Sequence, residues 1–156
     1  MKHPESLELV AEFHRTFNHP ILNTPTIPEA TRCKLRVSLI SEELKEFEEA
    51  IQQNDIVAVA DALSDIQYVL SGAILEFGLG DKFKLLFEEV QRSNMSKACN
   101  NQEEAIKTVE HYKIKDGTEC YYLQKGNQWL VYRKGDNKTL KSINYSPVNL
   151  APIIES

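Results

Sequence analysis

Apolar residues recur at helical spacing through the first two-thirds of the chain, then thicken into strand-like runs after Ile114. The spacing predicts a first helix from Pro4 to about Phe17, with proline tolerated in its opening turn. Pro20, Pro25 and Pro28 make residues 18–28 an extended loop. Pro28 opens a long helix to about Gln53. Asn54 or Asp55 caps the next, which runs to Phe77 and is ended by Gly78 and Gly80. Asp81 caps a shorter helix to about Arg92, and residues 101–113 read as one more. Tyr121–Gln124 and Gln128–Arg133, joined by Lys125, Gly126 and Asn127, predict a β-hairpin. The tail NYSPVNLAPIIES is predicted to be irregular. The expected fold is all-α: a helical bundle of four to five helices with a small C-terminal β-hairpin. The chain reads as one domain, with a helical core over 1–97 and an extra helix, hairpin and tail over 98–156.

Size and composition fit that picture. The chain has 156 residues, 42% hydrophobic and 26% charged, an ordinary globular balance. No apolar run reaches 18 residues, so no transmembrane helix and no membrane partner are expected. The N-terminus carries Glu5 and Glu8 where a signal peptide needs an apolar stretch, which makes the cytoplasm the expected location. Net charge is −5, carried by the first 98 residues, and no basic stripe marks a nucleic-acid surface. Cys33, Cys99 and Cys120 lack metal spacing and read as reduced packing residues.

The acids change the picture. On a wheel of 100° per residue, Leu35, Val37, Leu39, Ile40, Leu44, Phe47, Ala50 and Ile51 form a broad apolar sector of the long helix. Glu42, Glu48 and Glu49 lie at or beyond its edges, as solvated acids should. Glu43, Glu46 and Arg36 lie inside it, aimed at the bundle interior. An ionised carboxylate buried there needs a cationic partner; Arg36, two turns from Glu43, is the expected one on the helix itself. The following helix adds Asp61 and Asp65 at i, i+4, with Glu76 near the same strip. Ser64, Gln67 and Ser71 flank these acids, so the wheel alone also permits a plain solvent face.

Charge distribution separates the two. From Glu46 to Asp81 the chain has eight acids and no Lys or Arg. Solvated helices normally mix signs, because like charges at i, i+4 repel. A one-sided carboxylate cluster calls for an external counter-ion, and all-oxygen donors favour Mg2+ or Mn2+ over zinc. A di-iron centre would need Glu-x-x-His, and no histidine here has a glutamate three residues before it. The remaining chemistry is phosphoryl or nucleotidyl hydrolysis, in which metal ions neutralise phosphates and acidify a water.

With these residues in place, the chain resembles the all-α nucleoside triphosphate pyrophosphohydrolases, the MazG-like and phosphoribosyl-ATP pyrophosphohydrolase-like superfamily. FHRTFNHPI (13–21), RVSLISEELKEFEEAI (36–51), ADALSDIQYVLSGAILEFG (60–78), VQRSNMSK (90–97) and a terminal Lys141, Tyr145, Pro147 pattern carry the resemblance in the expected order. It implies hydrolysis of a nucleoside triphosphate to monophosphate and pyrophosphate, a Mg2+ cofactor (or Mn2+), and a homodimer or dimer of dimers. A service in clearing unwanted nucleotides is the expectation. Narrow dUTP or dCTP specificity, phosphoribosyl-ATP, and a non-catalytic nucleotide- or partner-binding helical dimer are the rivals.

Residue by residue, the resemblance implies metal binding by Glu43, Glu46 and Asp65. Glu42 is a further ligand or the base that positions the water. The family's second motif is commonly E-x-x-D, and here position 62 is Ala62, so Asp61 is expected to substitute. Asn94 and Lys97 are expected to contact phosphate or metal-bound water, and Lys141 and Tyr145 to close over the phosphates or the base. Phe13, Phe17 and Tyr68 are candidates for stacking on a base. The 43 residues between Lys97 and Lys141 form an insertion. Its Tyr121, Tyr122, Leu130 and Tyr132 make a large apolar load, which favours a dimer interface.

Overall fold

The structure, a computed structural model, describes residues 4–156. Its order is α1 (Ser6–Thr16), α2 (Ala30–Gln52), α3 (Ile56–Glu76), a 3-10 turn (Gly80–Lys82), α4 (Phe83–Met95), α5 (Gln102–Asp116), β1 (Cys120–Lys125), β2 (Gln128–Arg133) and α6 (Ala151–Glu155). Among the described residues, six helices and one antiparallel hairpin make it mostly helical. The chain divides into two compact units, one through Phe83 and one from Lys84.

In the first unit, local chemistry sets the helix ends. Asp55 is the N-cap of α3; its Oδ1 accepts the backbone N–H groups of Val57 and Ala58 at 2.9 and 3.1 Å. α1 starts at Ser6, so Pro4 stands just outside it. The loop over 18–28 is extended as expected and is tied to the end of α3. The N–H of Leu22 donates to Leu75 O, and that of Thr26 to Phe77 O, each at 3.0 Å. Gly78 makes this close approach possible. It has φ +68°, and a Cβ there would lie 1.9 Å from Thr24 O. Gly78→Ala should therefore cost about 2–4 kcal/mol in chemical denaturation, with the loop losing its register on α3.

The core of this unit is small. Val10, Ala11 and Leu75 form it, with Ile21 packed alongside. α3 packs on both α1 and α2. The broad apolar sector expected of α2 is not a core face within one chain, for of its members only Ala50 is buried. Val37 is 65% exposed and Leu44 58%; at the start of α3, Ile56 and Val57 are 76% and 75% exposed. Within the chain α2 has one main helical neighbour, α3, and a single neighbour cannot cover a sector so wide. By length and composition α3 could cross a membrane, with mean hydropathy 1.3 over 18 residues, although no unbroken apolar run reaches that length.

In the second unit, α5 lies against the hairpin. Asn101 caps α5 by accepting the N–H of Glu104 at 2.9 Å, and Gly117 ends it in the left-handed conformation. The strands pair Tyr121 with Tyr132 and Leu123 with Leu130 around a turn at Gly126 and Asn127. Cys99, Ala105 and Val131 form the buried centre, with Val109, Cys120, Tyr122, Trp129 and Leu140 around it. Tyr121 stacks on Tyr132 at 5.5 Å. Much of the apolar load that favoured an interface is thus satisfied inside the unit. All three cysteines are free thiols. The tail departs from its expected irregularity by forming α6, where Pro152 falls in the first turn and fits a helix start.

Candidate active site

α2 and α3 lie side by side and bring the predicted acids together. Glu43 and Asp65 are half-buried, whereas Glu42, Glu46 and Asp61 are exposed. Burial raises the Glu43 carboxyl above its ordinary range, and the charges of Asp65, Glu46, Glu42 and Asp61 push it further the same way. The leading charges acting on Glu43 are all negative. Asp65 leads them and Asp61 comes last. Ala62, one residue on, is buried at the helix contact, about 100° round from Asp61. The interior orientation expected of Glu46 is not found in the single chain. Among the described residues, no three His, Cys, Asp or Glu side chains are already gathered tightly enough to cage a metal.

Arg36 does not pair with Glu43. Seven residues along a helix are about 10 Å of rise, too far for that pair. It reaches across to the end of α3 instead, where its Nη2 donates to Glu76 Oε1 at 2.5 Å. Arg32, one turn earlier, also donates to both Glu76 oxygens. Burial opposes the Glu76 charge, but the hydrogen bonds from Arg36 and Arg32 outweigh it and hold the carboxyl below its usual range. Glu76 therefore leaves the acidic strip and belongs to a buried ion cluster. His14 completes that cluster. Its Nδ1 must donate to Pro20 O at 2.8 Å, a carbonyl being acceptor only, which leaves Nε2 to accept from Arg36 at 3.1 Å. Burial, with Arg36 nearby, lowers the His14 pKa and keeps the ring neutral.

The second unit gathers the other predicted residues. Lys97 Nζ donates to Asn94 Oδ1 at 2.7 Å. Lys141 Nζ lies 4.1 Å above the Tyr145 ring, and the Tyr145 hydroxyl meets Ser93 Oγ at 3.1 Å. The hydrogen bond from Ser93, aided by the ammonium groups of Lys141 and Lys97, lowers the Tyr145 pKa. The N–H of Ser142 donates to Lys97 O at 3.1 Å, and the Ser142 hydroxyl to buried Glu104. This hydroxyl bond draws the terminal segment onto α5. Two ammonium groups and a polarised phenol in one cluster can hold an anion.

An apolar hollow of about 370 Å³ lies between α1 and α3, lined by Leu9, Val10, Leu63 and Tyr68, with Ser6, Ser64 and Gln67 among its polar residues. Beside it Phe13 stacks on His19 at 5.6 Å, meets Tyr68 edge-on at 5.7 Å and touches Phe17 at 4.5 Å. The three aromatic candidates thus form one cluster, with His19 as an unforeseen fourth member.

Residues 10–94, more than half of the chain, match the phosphoribosyl-ATP pyrophosphohydrolase family. The chain belongs to that family. It is a pyrophosphohydrolase of the MazG-like all-α type. The family match spans Arg36, all five acids and Asn94, and stops before Lys97. An uncharacterized protein, L479, of Acanthamoeba polyphaga mimivirus is 25% identical across 95% of each chain. Ser93 and Arg92 also bear on the second cluster. They carry no sign in the sequence beyond their place in VQRSNMSK, since their partners lie some fifty residues away.

Proposed function

We propose that the chain hydrolyses a nucleoside triphosphate between the α and β phosphates, giving monophosphate and pyrophosphate, with Mg2+ or Mn2+ as cofactor. The observation that carries this is the raised Glu43 carboxyl, hemmed in by four other acids with no cation among its leading neighbours. An all-oxygen donor set with uncompensated charge fits a hard divalent ion. Glu43, Glu46 and Asp65 would hold it, with Asp61 as an outer member. When bound, the metal neutralises phosphate charge and acidifies a water. Exposed Glu42 would orient the attacking water and accept its proton at a carboxylate oxygen. The water oxygen bonds to one phosphorus of the α–β bridge as that phosphorus loses its bond to the bridging oxygen, and monophosphate and pyrophosphate separate. Within the second unit, Lys97, Lys141, Tyr145 and Asn94 would contact phosphate; within the first, Phe13 and Tyr68 lie beside a hollow of suitable size for a base.

The exposed apolar faces of α2 and α3 favour a homodimer, or a dimer of dimers, in which a second copy covers them. A panel of (d)NTPs, with dUTP, dCTP and phosphoribosyl-ATP included, tests the reading. Pyrophosphate release dependent on Mg2+ or Mn2+ is expected. Release of orthophosphate alone would make the chain a phosphatase, and nucleotide binding without turnover would favour a non-catalytic dimer.

A further inference from the structure

Arg92 sits on α4, one turn after Glu89, and commits every nitrogen of its guanidinium. Nε and Nη2 donate to the two Glu89 oxygens at 2.6 and 2.8 Å. Nη1 donates to Ser146 Oγ at 2.9 Å, and Nη2 also to Pro147 O at 3.0 Å. Glu89 Oε1 accepts in addition the N–H of Asn149 at 2.9 Å. Ser96 Oγ accepts the N–H of Ser146 at 2.9 Å and so adds a third tie. The bond from Arg92, then that from Asn149, holds the Glu89 carboxyl down to about 2, so the pair stays ionised across the working pH range.

A lone exposed i, i+3 ion pair adds little to stability. This one does something else, because its surplus donors and acceptors land on a strap, residues 146–149, that begins directly after Tyr145. The strap has no secondary structure of its own until α6. We infer that Arg92 and Glu89 form a clamp that sets the position of Tyr145, and with it Lys141, for phosphate binding. The inference rests on the proposed reading of Lys141 and Tyr145 as phosphate contacts. Arg92 is a positioning residue: its bonds go to Glu89, Ser146 and Pro147, not to the phosphate donors themselves. The clamp adds three bonds from α4 to the strap beyond those of Ser96 and Ser93, so the phosphate donors are ordered before substrate arrives.

The test is steady-state kinetics with the triphosphate turned over fastest in the panel. Arg92→Ala should raise KM about ten-fold and leave kcat within about two-fold, with Tm nearly unchanged. Arg92→Lys should not rescue it, because an ammonium cannot span Glu89, Ser146 and Pro147 together. Glu89→Gln should shift KM in the same direction and stands in if Arg92→Ala folds poorly. The decisive readout is the same change made in a Lys141→Ala/Tyr145→Phe background, where losing the clamp should cost nothing further. An equal loss in both backgrounds, or an unchanged KM, overturns the clamp. Wild-type kcat/KM in Lys141→Ala/Tyr145→Phe alone would instead remove the phosphate-contact reading, and the clamp with it.

Discussion

Glu43→Gln should lower pyrophosphate release by about 100- to 1000-fold and yet raise the melting temperature of the metal-free protein by roughly 2 °C. The two effects share one cause. Burial and four neighbouring acids raise the Glu43 pKa above its unfolded value. A carboxyl shifted that way weakens the fold whenever it is ionised, and the penalty is relieved as pH falls through the raised value. A neutral amide removes the penalty at pH 8. It also removes a full negative charge from the place where a divalent ion is proposed to bind. Wild type should gain on addition of Mn2+, by about 2.7 kcal/mol at a hundred times Kd, and the variant should gain much less. Thermal melts with and without the ion, beside a pyrophosphate assay, check both halves. A variant that melts lower without metal would mean that Glu43 is a structural hydrogen-bonding group and not a strained ligand.

The second large effect lies away from the acids. Glu76→Gln keeps the shape of a side chain only 1% exposed but leaves Arg32 and Arg36 facing each other without their anion. Removing one partner from a buried ion cluster costs about 3–5 kcal/mol, a large share of an ordinary domain's stability. The urea midpoint should fall by roughly 1–2 M. Nothing nearby can absorb the change. Gly72 is already so close that a Cβ there would lie 2.5 Å from the Arg36 guanidinium, and Arg36 Nε is buried with no acceptor among the described residues. Acid should act in the same direction. Because the Glu76 pKa lies below its unfolded value, its contribution is complete above the normal glutamate range and fades as pH falls through the depressed one.

Local chemistry made much of the architecture legible from the chain. Asp55 announces a helix start, and Lys125, Gly126 and Asn127 announce a turn, whereas the wheel left the acids of α3 open between a site and a solvent face, and only the one-sided charge argued for the site. What stayed hidden depends on contacts between distant residues. The wheel places Arg36 on the inner face correctly, but no periodicity says that its anion stands forty residues later. Val37 and Leu44 read as core because binary patterning records a wish to be covered, not the identity of the cover. Glu104 looks like an ordinary acid in a first helical turn. Its burial comes from Ser142, Asn100 and the terminal segment. α6 is five residues long, below the length at which periodicity can speak.

The arginine–glutamate cluster also bears on how this chain emerges from the ribosome. Arg32 and Arg36 are synthesised forty or more residues ahead of the one carboxylate that neutralises them, and His14 still earlier. Until Glu76 clears the exit tunnel, α1 and α2 have no reason to dock. The N-terminal unit should therefore assemble in a single late step during translation, and truncations ending before Glu76 should be captured by chaperones while those ending after Phe83 are released.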